Sequence, residues 1–383
     1  MESTVRILHV LGNTNLGGAE SRIMDLYRHI DRGRVQFDFL VHTAREGYYD
    51  KEITALGGRV YRVPRFRIYN YFTYVHELKR FFGQHHEYQM IQGHMTSTAA
   101  IYLPLAKSAG IPVTIAHARS AGVDQGIKGI LTRYLRRNLP EKTDYMFTCS
   151  ELAGISVFGG KAVKEGKTTF VPNAIESGKF EYDPGIREKI RRELGVEGNY
   201  VVGHVGRFHY AKNHEYLLQV FASLCMQETV KTGEEEHPDQ KDYVLLLLGD
   251  GAGMEEIRKL AGELGISEKV FFAGRKGNVW EYYQAMDYFI YPSRYEGLPG
   301  TVLEAQAAGL RCLISDSICK EVLVTDLVKS MDIKEDAGKW ASYVVQTKEY
   351  VRRGHGKEIA QAGFDVKRQA EKMMKFYETG SFE

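Results

Sequence analysis

Two series of short, β-branched apolar runs, separated by stretches of helical periodicity, constrain the fold of this chain more than any other feature. Near-continuous apolar strands spaced by amphipathic helices are typical of parallel sheets covered on both faces. Two such series favour two α/β domains, although counting alone also allows a single (β/α) barrel of this length. The runs are Val5–Leu11, Phe37–Val41, Met90–His94, Val113–His117 and Tyr145–Cys149, and then Tyr200–Val205, Tyr243–Leu248, Lys269–Ala273, Tyr288–Tyr291 and Cys312–Ser315.

The change from one series to the other falls near Val171-Pro172-Asn173-Ala174, where a proline fixes the chain direction and a turn-forming residue follows. We therefore expect a first domain over residues 1–172 and a second over residues 173–364. The last helical stretch, Val366–Tyr377, has no strand after it. Because its apolar face needs a surface to cover, residues from about 365 to 383 are expected to pack on another part of the chain, with the first domain as a candidate.

The composition is that of a soluble globular enzyme. The 383 residues are 43% apolar and 26% charged, which argues against a disordered tail or a fibre. No apolar run approaches the roughly 20 residues that cross a bilayer, and the first residues show no signal-peptide pattern. The four cysteines are scattered without a CxxC pair, so we expect a cytoplasmic protein without structural zinc or disulfides.

Charge is divided unevenly along the chain. Residues 1–172 carry 23 Lys and Arg against 15 Asp and Glu, a net charge of +8, whereas residues 173–383 carry 28 against 34, a net charge of −6. Opposite signs in the two halves suggest different partners for each. They also disfavour one continuous nucleic-acid-binding face, so no nucleic acid partner is expected.

The turn after Tyr288–Tyr291 opens the most informative segment, residues 291–305. Gly297, Pro299 and Gly300 lie in this turn, so that backbone N–H groups at the start of the following helix can approach a ligand. Free amides and the positive end of the helix dipole favour a phosphate, while a carboxylate one turn into the helix, at Glu304, suits vicinal hydroxyls. The alternative is an ordinary capped helix with Glu304 on its surface.

Two cations follow the run Tyr200–Val205, in Gly206-Arg207-Phe208 and at Lys212. An arginine and a lysine at the carboxyl end of a parallel strand lie where open α/β sheets bind ligands. Together they could neutralise a pyrophosphate without a metal ion. The alternative, an ordinary surface pair, is weakened because positive charge is unfavourable near a helix N-terminus.

Three weaker signals accompany these segments. A glycine-rich loop, residues 12–20, follows the first strand but lacks the GxGxxG dinucleotide pattern. His117 ends the run Val113–His117, where it could contact a ligand or make a structural hydrogen bond. Asp250, at the end of a strand in the second half, is a similar weak candidate for a ligand contact. The sequence contains no Asp-x-Asp, the carboxylate pair that commonly chelates a divalent metal on a nucleotide sugar, so no metal site is predicted.

Taken together, these motifs resemble the retaining glycosyltransferases of family 4, which have the GT-B fold. The resemblance covers nearly the whole chain, and the stretch from Glu296 to Ser315 is most similar to the EpsF-type enzymes of bacterial exopolysaccharide and capsule synthesis. It rests on Glu296-x7-Glu304, Tyr291-Pro292-Ser293, Gly206-Arg207 with Lys212, Gly17-Gly18-Ala19-Glu20 and Pro172-Asn173. The resemblance implies two Rossmann-like α/β/α domains facing across a cleft, with the last helix crossing back to the first domain.

The resemblance also implies a role for each matching residue. Glu304 would bind the ribose hydroxyls, Arg207 and Lys212 would hold the diphosphate, and Arg275 lies where the family holds the base. Glu296 would contact the transferred sugar, and His117 would approach it from the first domain. The expected catalytic residues are Glu296, His117, Arg207 and Lys212, and the expected donor-binding residues are Gly17, Gly18, Arg207, Lys212, Arg275, Gly297, Leu298, Gly300, Thr301, Val302 and Glu304.

The function that the resemblance implies is metal-independent, retaining transfer of a hexosyl or N-acetylhexosaminyl group. The donor would be a nucleoside-diphosphate sugar, most simply a UDP-sugar, acting as co-substrate with no further cofactor. The acceptor would be a saccharide or a lipid-linked saccharide. Two alternatives remain open at this point: a GT-B nucleotide-sugar epimerase, and a non-catalytic sugar-nucleotide-binding protein.

The basic first half offers a candidate membrane surface. The stretch from Ile127 to Arg137 places apolar residues at helical spacing beside Lys128, Arg133, Arg136 and Arg137, and residues 59–67 add four more arginines. Such a face could dock peripherally on an anionic lipid surface at the inner side of the cell membrane. The alternative is an amphipathic helix packed on the core.

Overall fold

The computed structural model describes residues 4–122, 126–232 and 242–382. The chain divides into two units, which we call unit 1 (Met1–Ile175 with Asp365–Glu383) and unit 2 (Glu176–Phe364). The division lies between Ile175 and Glu176, three residues after the boundary that the sequence predicted between Pro172 and Asn173.

Unit 1 is built on a parallel sheet, which has seven strands in the described part of the unit. The strands are β1 (Val5–Leu11), β2 (Val35–Val41), β3 (Val60–Arg62), β4 (Tyr88–Gly93), β5 (Val113–Ala118), β6 (Tyr145–Thr148) and β7 (Thr168–Phe170). Their order in the sheet is β3-β2-β1-β4-β5-β6-β7, and every neighbouring pair is parallel.

Helices connect these strands. They are α1 (Gly18–His29), α2 (Asp50–Ala55), α3 (Tyr71–Gln84), α4 (Ala99–Ser108), α5 (Gly126–Arg136), α6 (Glu151–Phe158) and α7 (Gly160–Lys164). Every residue of β2 is buried, as expected for an inner strand of a sheet covered on both faces. On α1, the buried residues Ile23, Met24, Leu26 and Tyr27 recur at helical spacing and face the sheet.

Unit 2 repeats this architecture over one continuous stretch of chain. Its strands are β8 (Tyr200–Val205), β9 (Tyr243–Leu248), β10 (Val270–Gly274), β11 (Tyr288–Tyr291), β12 (Arg311–Ser315) and β13 (Val328–Met331), in the parallel order β10-β9-β8-β11-β12-β13. Its helices are α8 (Pro184–Leu194), α9 (His214–Thr232), α10 (Met254–Glu263), α11 (Val279–Ala285), α12 (Gly300–Ala307), α13 (Ala337–Thr347) and α14 (Gly356–Gln361).

The last helix, α15 (Val366–Thr379), belongs to unit 1, which confirms the predicted return of the chain. Its buried side chains, among them Met373, Phe376 and Tyr377, join residues of α1, β1 and β2 in one apolar cluster. The return is pinned by a parallel bridge between Ile175 and Asp365, in which the Val366 amide donates to the Ile175 carbonyl over 2.9 Å.

Three strands of the structure lie outside the two predicted series: β3, β7 and β13. Each is three or four residues long and lies at an edge of its sheet, and none of their residues is buried. A short, half-exposed edge strand carries no continuous apolar run, so its sequence cannot be distinguished from that of a loop.

Both sheets share a change of strand order that locates ligand sites. In each sheet the chain adds strands first on one side of its first strand and then on the other. In unit 1, β1 lies between β2 and β4, and in unit 2, β8 lies between β9 and β11. This is the Rossmann arrangement, in which ligands bind outside the carboxyl ends of the strands where the order reverses. The two units are therefore Rossmann-like, and in unit 2 the loops after β8 and β11 are the expected ligand-binding positions.

A buried carboxylate holds the outer half of the unit 1 sheet together. Asp38 on β2 is fully buried and accepts two hydrogen bonds from the Arg6 guanidinium, at 2.9 Å and 2.6 Å. It also accepts from the Tyr88 hydroxyl (2.9 Å) and the Arg59 amide (2.7 Å), so strands β1, β3 and β4 depend on its charge. Removing that charge leaves a partly buried guanidinium uncompensated.

We expect Asp38→Asn to destabilise the protein by about 3 kcal/mol, because the substitution keeps the shape of the side chain and removes the charge that Arg6 needs. Urea unfolding, followed by fluorescence, should show a lower midpoint. The matched control is Asp326→Asn at an exposed position, which should leave the midpoint unchanged. Equal midpoints for the two variants would contradict the role given to Asp38.

Candidate functional site

Lys212, Tyr291 and Glu296 form a three-membered cluster at the carboxyl ends of β8 and β11. The Lys212 ammonium lies 2.5 Å from a carboxylate oxygen of Glu296 and also donates to the Tyr291 hydroxyl. That hydroxyl in turn donates to the same carboxylate over 3.2 Å. The side chains of Lys212 and Glu296 are 19% and 17% exposed, and Tyr291 is fully buried. The structure thus brings together two residues that the sequence predicted separately.

The charge of this cluster is set by its surroundings. Burial by itself lowers the pKa of an ammonium group, but the Glu296 carboxylate and the Tyr291 hydroxyl outweigh it and raise the pKa of Lys212 above its ordinary value. Beneath the lysine, burial lowers the pKa of His204 to about 4 and that of His214 to about 2. These two rings are therefore neutral at physiological pH, and Lys212 is the cation of the cluster.

The loop that carries Lys212 is shaped by local backbone constraints. A 3-10 turn over Tyr210–Lys212 ends at Asn213, which has a left-handed φ of 57°, a conformation that asparagine tolerates better than most residues. Arg294 ties this loop to the one after β11, because its amide donates to the Ala211 carbonyl (2.7 Å) and its guanidinium to the Tyr210 carbonyl (2.5 Å). The two loops therefore hold Lys212 and Glu296 at a fixed separation.

Arg207 and Arg275 differ in their partners. Arg207 is exposed and makes no hydrogen bond or ion pair with any described residue. Arg275, which follows β10, donates to the carboxylate of Asp250, which follows β9. The Asp250 carbonyl also accepts from the Phe208 amide over 2.8 Å, so the loops after β8, β9 and β10 are joined beside Arg207.

The glycine-containing turn leads into α12 as predicted. Gly300 begins the helix, and Pro299 precedes it without a side chain that caps the first amides. The side chains of Leu298 and Val302 are buried inside unit 2, where they hold the turn in place. They are therefore not available to a ligand. At Leu298 and Val302 only the backbone is left for the predicted donor-binding role, and donor binding by Gly297, Gly300 and Thr301 stays a prediction.

Glu304 is more enclosed than the sequence suggested. It is 4% exposed, and one of its carboxylate oxygens accepts a hydrogen bond from the Tyr283 hydroxyl over 2.9 Å. The same hydroxyl lies 3.2 Å from the Thr301 carbonyl, so Tyr283 on α11 fixes the first turns of α12. The alternative of a solvated surface carboxylate is wrong, whereas binding of ribose hydroxyls stays a prediction.

His117 lies inside unit 1, hydrogen-bonded through both ring nitrogens, and its contact with the sugar stays a prediction. Its ring is fully buried. Nε2 lies 3.2 Å from the Val171 carbonyl, which can only accept, so Nδ1 must accept from the Gln92 amide at 2.9 Å. Gln92 also accepts a hydrogen bond from Tyr377 of α15 over 2.6 Å. Nδ1 of His117 is therefore linked to α15 through Gln92, and Nε2 holds the chain just after β7.

A second buried network, which the sequence analysis missed, lies beside His117. Arg119 donates from Nε to Nδ1 of His94 (3.0 Å) and from Nη1 to the Asn173 amide oxygen (2.6 Å). Nε2 of His94 then donates to Nδ1 of His9 over 3.0 Å. The motif Ala118-Arg119-Ser120 gave no indication of these partners, because they come from other strands.

The glycine loop of unit 1 occupies the carboxyl end of β1. Gly17 is the N-cap of α1 in an extended conformation, without a side-chain hydrogen bond to the helix amides. A side chain at the exposed Gly18 would meet no atom within 4 Å. Close approach of Gly17 and Gly18 to a diphosphate stays a prediction.

The candidate membrane helix, α5, is only partly as predicted. Ile130 and Tyr134 lie one turn apart and are 61% and 73% exposed, and Arg133 and Arg137 are exposed beside them. Arg136 instead points into unit 1, where it is buried and donates to the Thr96 hydroxyl over 2.8 Å. The side chains of Ile127 and Lys128 lie outside the described residues.

Neither a metal-binding group nor a membrane span is found where the structure describes the chain. No cluster of three or more His, Cys, Asp and Glu side chains is placed to hold a metal ion within residues 4–122, 126–232 and 242–382. In the same ranges no helix combines the length and the apolar character that crossing a membrane requires.

Comparison with known families fits this geometry. Residues 17–174 match the glycosyl transferase 4-like domain, and residues 186–333 match glycosyl transferases group 1. The chain is 30% identical to the putative glycosyltransferase EpsF of Bacillus subtilis, over 98% of this chain and 97% of that protein. It is 23% identical to the capsular polysaccharide biosynthesis glycosyltransferase CapH of Staphylococcus aureus, over 83% of this chain and 82% of that protein.

Solved structures show the same fold. Anabaena HepE in complex with UDP superposes with a TM-score of 0.74 at 16% identity, over 98% of this chain and all of that one. Sucrose-phosphate synthase from Thermosynechococcus elongatus gives 0.78 at 18% identity, over 98% of both chains. The chain therefore belongs to the family 4 glycosyltransferases of the GT-B fold, as its sequence motifs implied.

The buried histidines of unit 1 predict a pH-dependent stability. Burial lowers the pKa of His9 to about 3 and those of His94 and His117 well below the ordinary value. Unfolding restores pKa values near 6.5, so below about pH 6.5 the unfolded chain binds protons that the folded chain does not. Stability is therefore fully present above about pH 6.5 and falls as the pH drops toward the folded pKa values.

We expect the urea midpoint to fall between about pH 7 and about pH 5, a window above the ordinary pKa of carboxylates. His117→Gln should reduce the size of this fall, because one of the neutral rings is gone. The control, His76→Gln at an exposed position, should behave as the wild type. An unchanged pH dependence in His117→Gln would show that His117 is not held neutral.

Proposed function

We propose that this chain transfers a hexosyl or N-acetylhexosaminyl unit from a UDP-sugar to a saccharide or lipid-linked saccharide acceptor, with retention at the anomeric carbon. The setting would be exopolysaccharide or capsule synthesis on the cytoplasmic side of the membrane. The names of EpsF and CapH support this setting, and the UDP complex of the HepE neighbour supports the donor. The observation that carries the proposal is the contact between Lys212 and Glu296 beside the switch point of unit 2, with Arg207 exposed on the same loop as Lys212.

The proposed chemistry follows from the leaving group. When the bond between the anomeric carbon and the β-phosphate oxygen breaks, negative charge builds on the phosphate. Lys212 and Arg207, together with the first amides of α12, would stabilise this charge, and Lys212 is already held in position by Glu296 and Tyr291 before the charge appears. In this proposal these cations supply the charge that a divalent metal supplies in other transferases.

Retention would follow from attack on the same face as the leaving group. The acceptor hydroxyl oxygen forms the new bond to the anomeric carbon while the donor's glycosidic bond breaks. The departing β-phosphate oxygen takes the hydroxyl proton, so that the products are the glycoside and UDP. Glu296 would hold sugar hydroxyls, and Glu304, oriented by Tyr283, would hold those of the ribose.

A panel of UDP- and GDP-sugars tests the donor. The true donor should raise the apparent melting temperature, because a ligand that binds the folded state stabilises it. With that donor, release of UDP should require an acceptor. Conversion of the sugar nucleotide without an acceptor would instead identify an epimerase, and binding without any conversion a non-catalytic protein.

We expect Arg207→Ala and Lys212→Ala each to reduce kcat at least about 100-fold, since each removes a cation that would stabilise the developing charge in the proposed mechanism. The measurement is acceptor-dependent release of the nucleotide at saturating donor. Lys259→Ala, which removes an exposed lysine of α10, is the matched control and should retain full activity. Unchanged kcat in either site variant would exclude the leaving-group role.

The proposed partner of unit 1 is an anionic membrane surface, which exposed cations and apolar side chains of unit 1 would contact. On α5, Ile130 and Tyr134 are exposed beside Arg133 and Arg137. A second exposed group lies in the loop after β3 and at the start of α3, where Tyr69 and Phe72 are 80% and 86% exposed and follow the exposed Arg65 and Arg67. Exposed aromatic rings beside exposed cations are typical of peripheral membrane binding.

Flotation with vesicles tests this surface. The wild type should float with vesicles rich in phosphatidylglycerol and should remain in solution with pure phosphatidylcholine. Arg133→Glu combined with Arg137→Glu should lower the bound fraction, whereas Lys161→Glu with Lys164→Glu, on the exposed side of α7, should not. Flotation that does not depend on anionic lipid would remove the proposal.

A further inference from the structure

The cluster in unit 2 has an unusual property: its single cation is already satisfied by a carboxylate of the protein. Lys212 contacts Glu296 at 2.5 Å and Tyr291 through the phenolic oxygen. The Lys212 ammonium also lies 4.8 Å from the centre of the Tyr291 ring, so its near surroundings are largely taken up. Two of its three N–H donors are engaged, so a phosphate oxygen that binds Lys212 draws on the same charge that compensates Glu296.

We infer that Glu296 makes the site select glycosylated nucleotides over the bare nucleoside diphosphate. This inference rests on the proposed function and names a specificity-determining role for a residue of that site. A diphosphate that binds Lys212 separates the lysine from Glu296. Glu296 then needs new hydrogen-bond donors, and the hydroxyls of the transferred sugar supply them, whereas a bare nucleoside diphosphate has none at this position.

Binding of a bare nucleoside diphosphate is opposed by the burial and by the charge of Glu296. Glu296 is mostly enclosed, so a carboxylate that loses its cation there is poorly compensated by solvent. It also lies close to the incoming phosphate, and like charges at short range oppose binding. Sugar hydroxyls that donate to the carboxylate offset the lost ion pair, so the glycosylated nucleotide avoids most of this cost.

Tyr291 keeps the carboxylate in place while the lysine changes partner. Its ring is fixed by stacking on His204 (5.3 Å between centroids) and Phe289 (5.8 Å), and its hydroxyl donates to Glu296 independently of Lys212. Removing this hydroxyl leaves the displaced carboxylate with still fewer donors. The two residues therefore act in opposite directions on the affinity for a bare diphosphate.

Isothermal titration calorimetry on the full chain tests the inference. The probes are UDP and whichever of UDP-glucose, UDP-galactose or UDP-N-acetylglucosamine the wild type binds most tightly. Glu296→Gln should bind UDP about tenfold more tightly than the wild type, because the repulsion and the displaced ion pair are both gone. Its affinity for the UDP-sugar should not improve, so the preference for the UDP-sugar should fall about tenfold.

Tyr291→Phe is the second variant and should change the affinity in the other direction, with weaker binding of UDP and a smaller effect on the UDP-sugar. Glu215→Gln is the matched control, since it removes a nearby carboxylate that pairs with Arg294 at 3.1 Å, and should behave as the wild type. Thermal unfolding of each variant confirms that it is folded.

The outcomes are separable. Unchanged or weaker UDP binding in a folded Glu296→Gln protein overturns the inference, as does tighter UDP binding by Tyr291→Phe. A wild type that binds neither UDP nor any of the UDP-sugars contradicts the proposed function instead. Tighter UDP binding in Glu296→Gln with an unchanged preference would assign Glu296 to general repulsion of anions and would also overturn the selective role.

Discussion

Parallel pairing of β8 with β11 is the constraint on which the site of unit 2 depends. The pairing sets Tyr288 beside Val202 and Phe289 beside Gly203, so the carboxyl ends of the two strands emerge together. The loops that follow them are then short enough to be tied by Arg294 and must bring Lys212 and Glu296 into contact. No single loop could produce this cluster, since Lys212 and Glu296 are 84 residues apart in the chain.

The cluster of unit 2 and the histidine network of unit 1 keep buried polar side chains in different ways. In unit 2, opposite charges lie within one hydrogen-bonded group, and the ammonium of Lys212 stays charged because Glu296 offsets the effect of burial. In unit 1, three histidines lose their charge and are connected through fixed tautomers to Arg119, Gln92 and Tyr377. The first arrangement can respond to an anionic ligand, whereas the second serves the packing of α15.

Much of the fold was predictable, because inner parallel strands such as β2 are continuous apolar runs and because the family motifs implied two Rossmann-like domains. Arg207, Lys212 and Glu296 were predictable as single residues at strand ends. Their pairing was not, since contacts between distant segments leave no local pattern. The two hydrogen bonds of His117 go to Gln92 and Val171, which belong to other parts of the chain, so its position at the end of a strand gave no indication of them.

Because α15 supplies part of the apolar cluster of unit 1, the order of synthesis on the ribosome affects how the chain folds. Unit 2 is one uninterrupted stretch and can close its own core as soon as it has emerged. Unit 1 must wait until the last helix is translated, with the apolar faces of α1, β1 and β2 uncovered in the meantime. The nascent first half is therefore the natural substrate for chaperones, and truncation near residue 365 would harm the part of the protein made first.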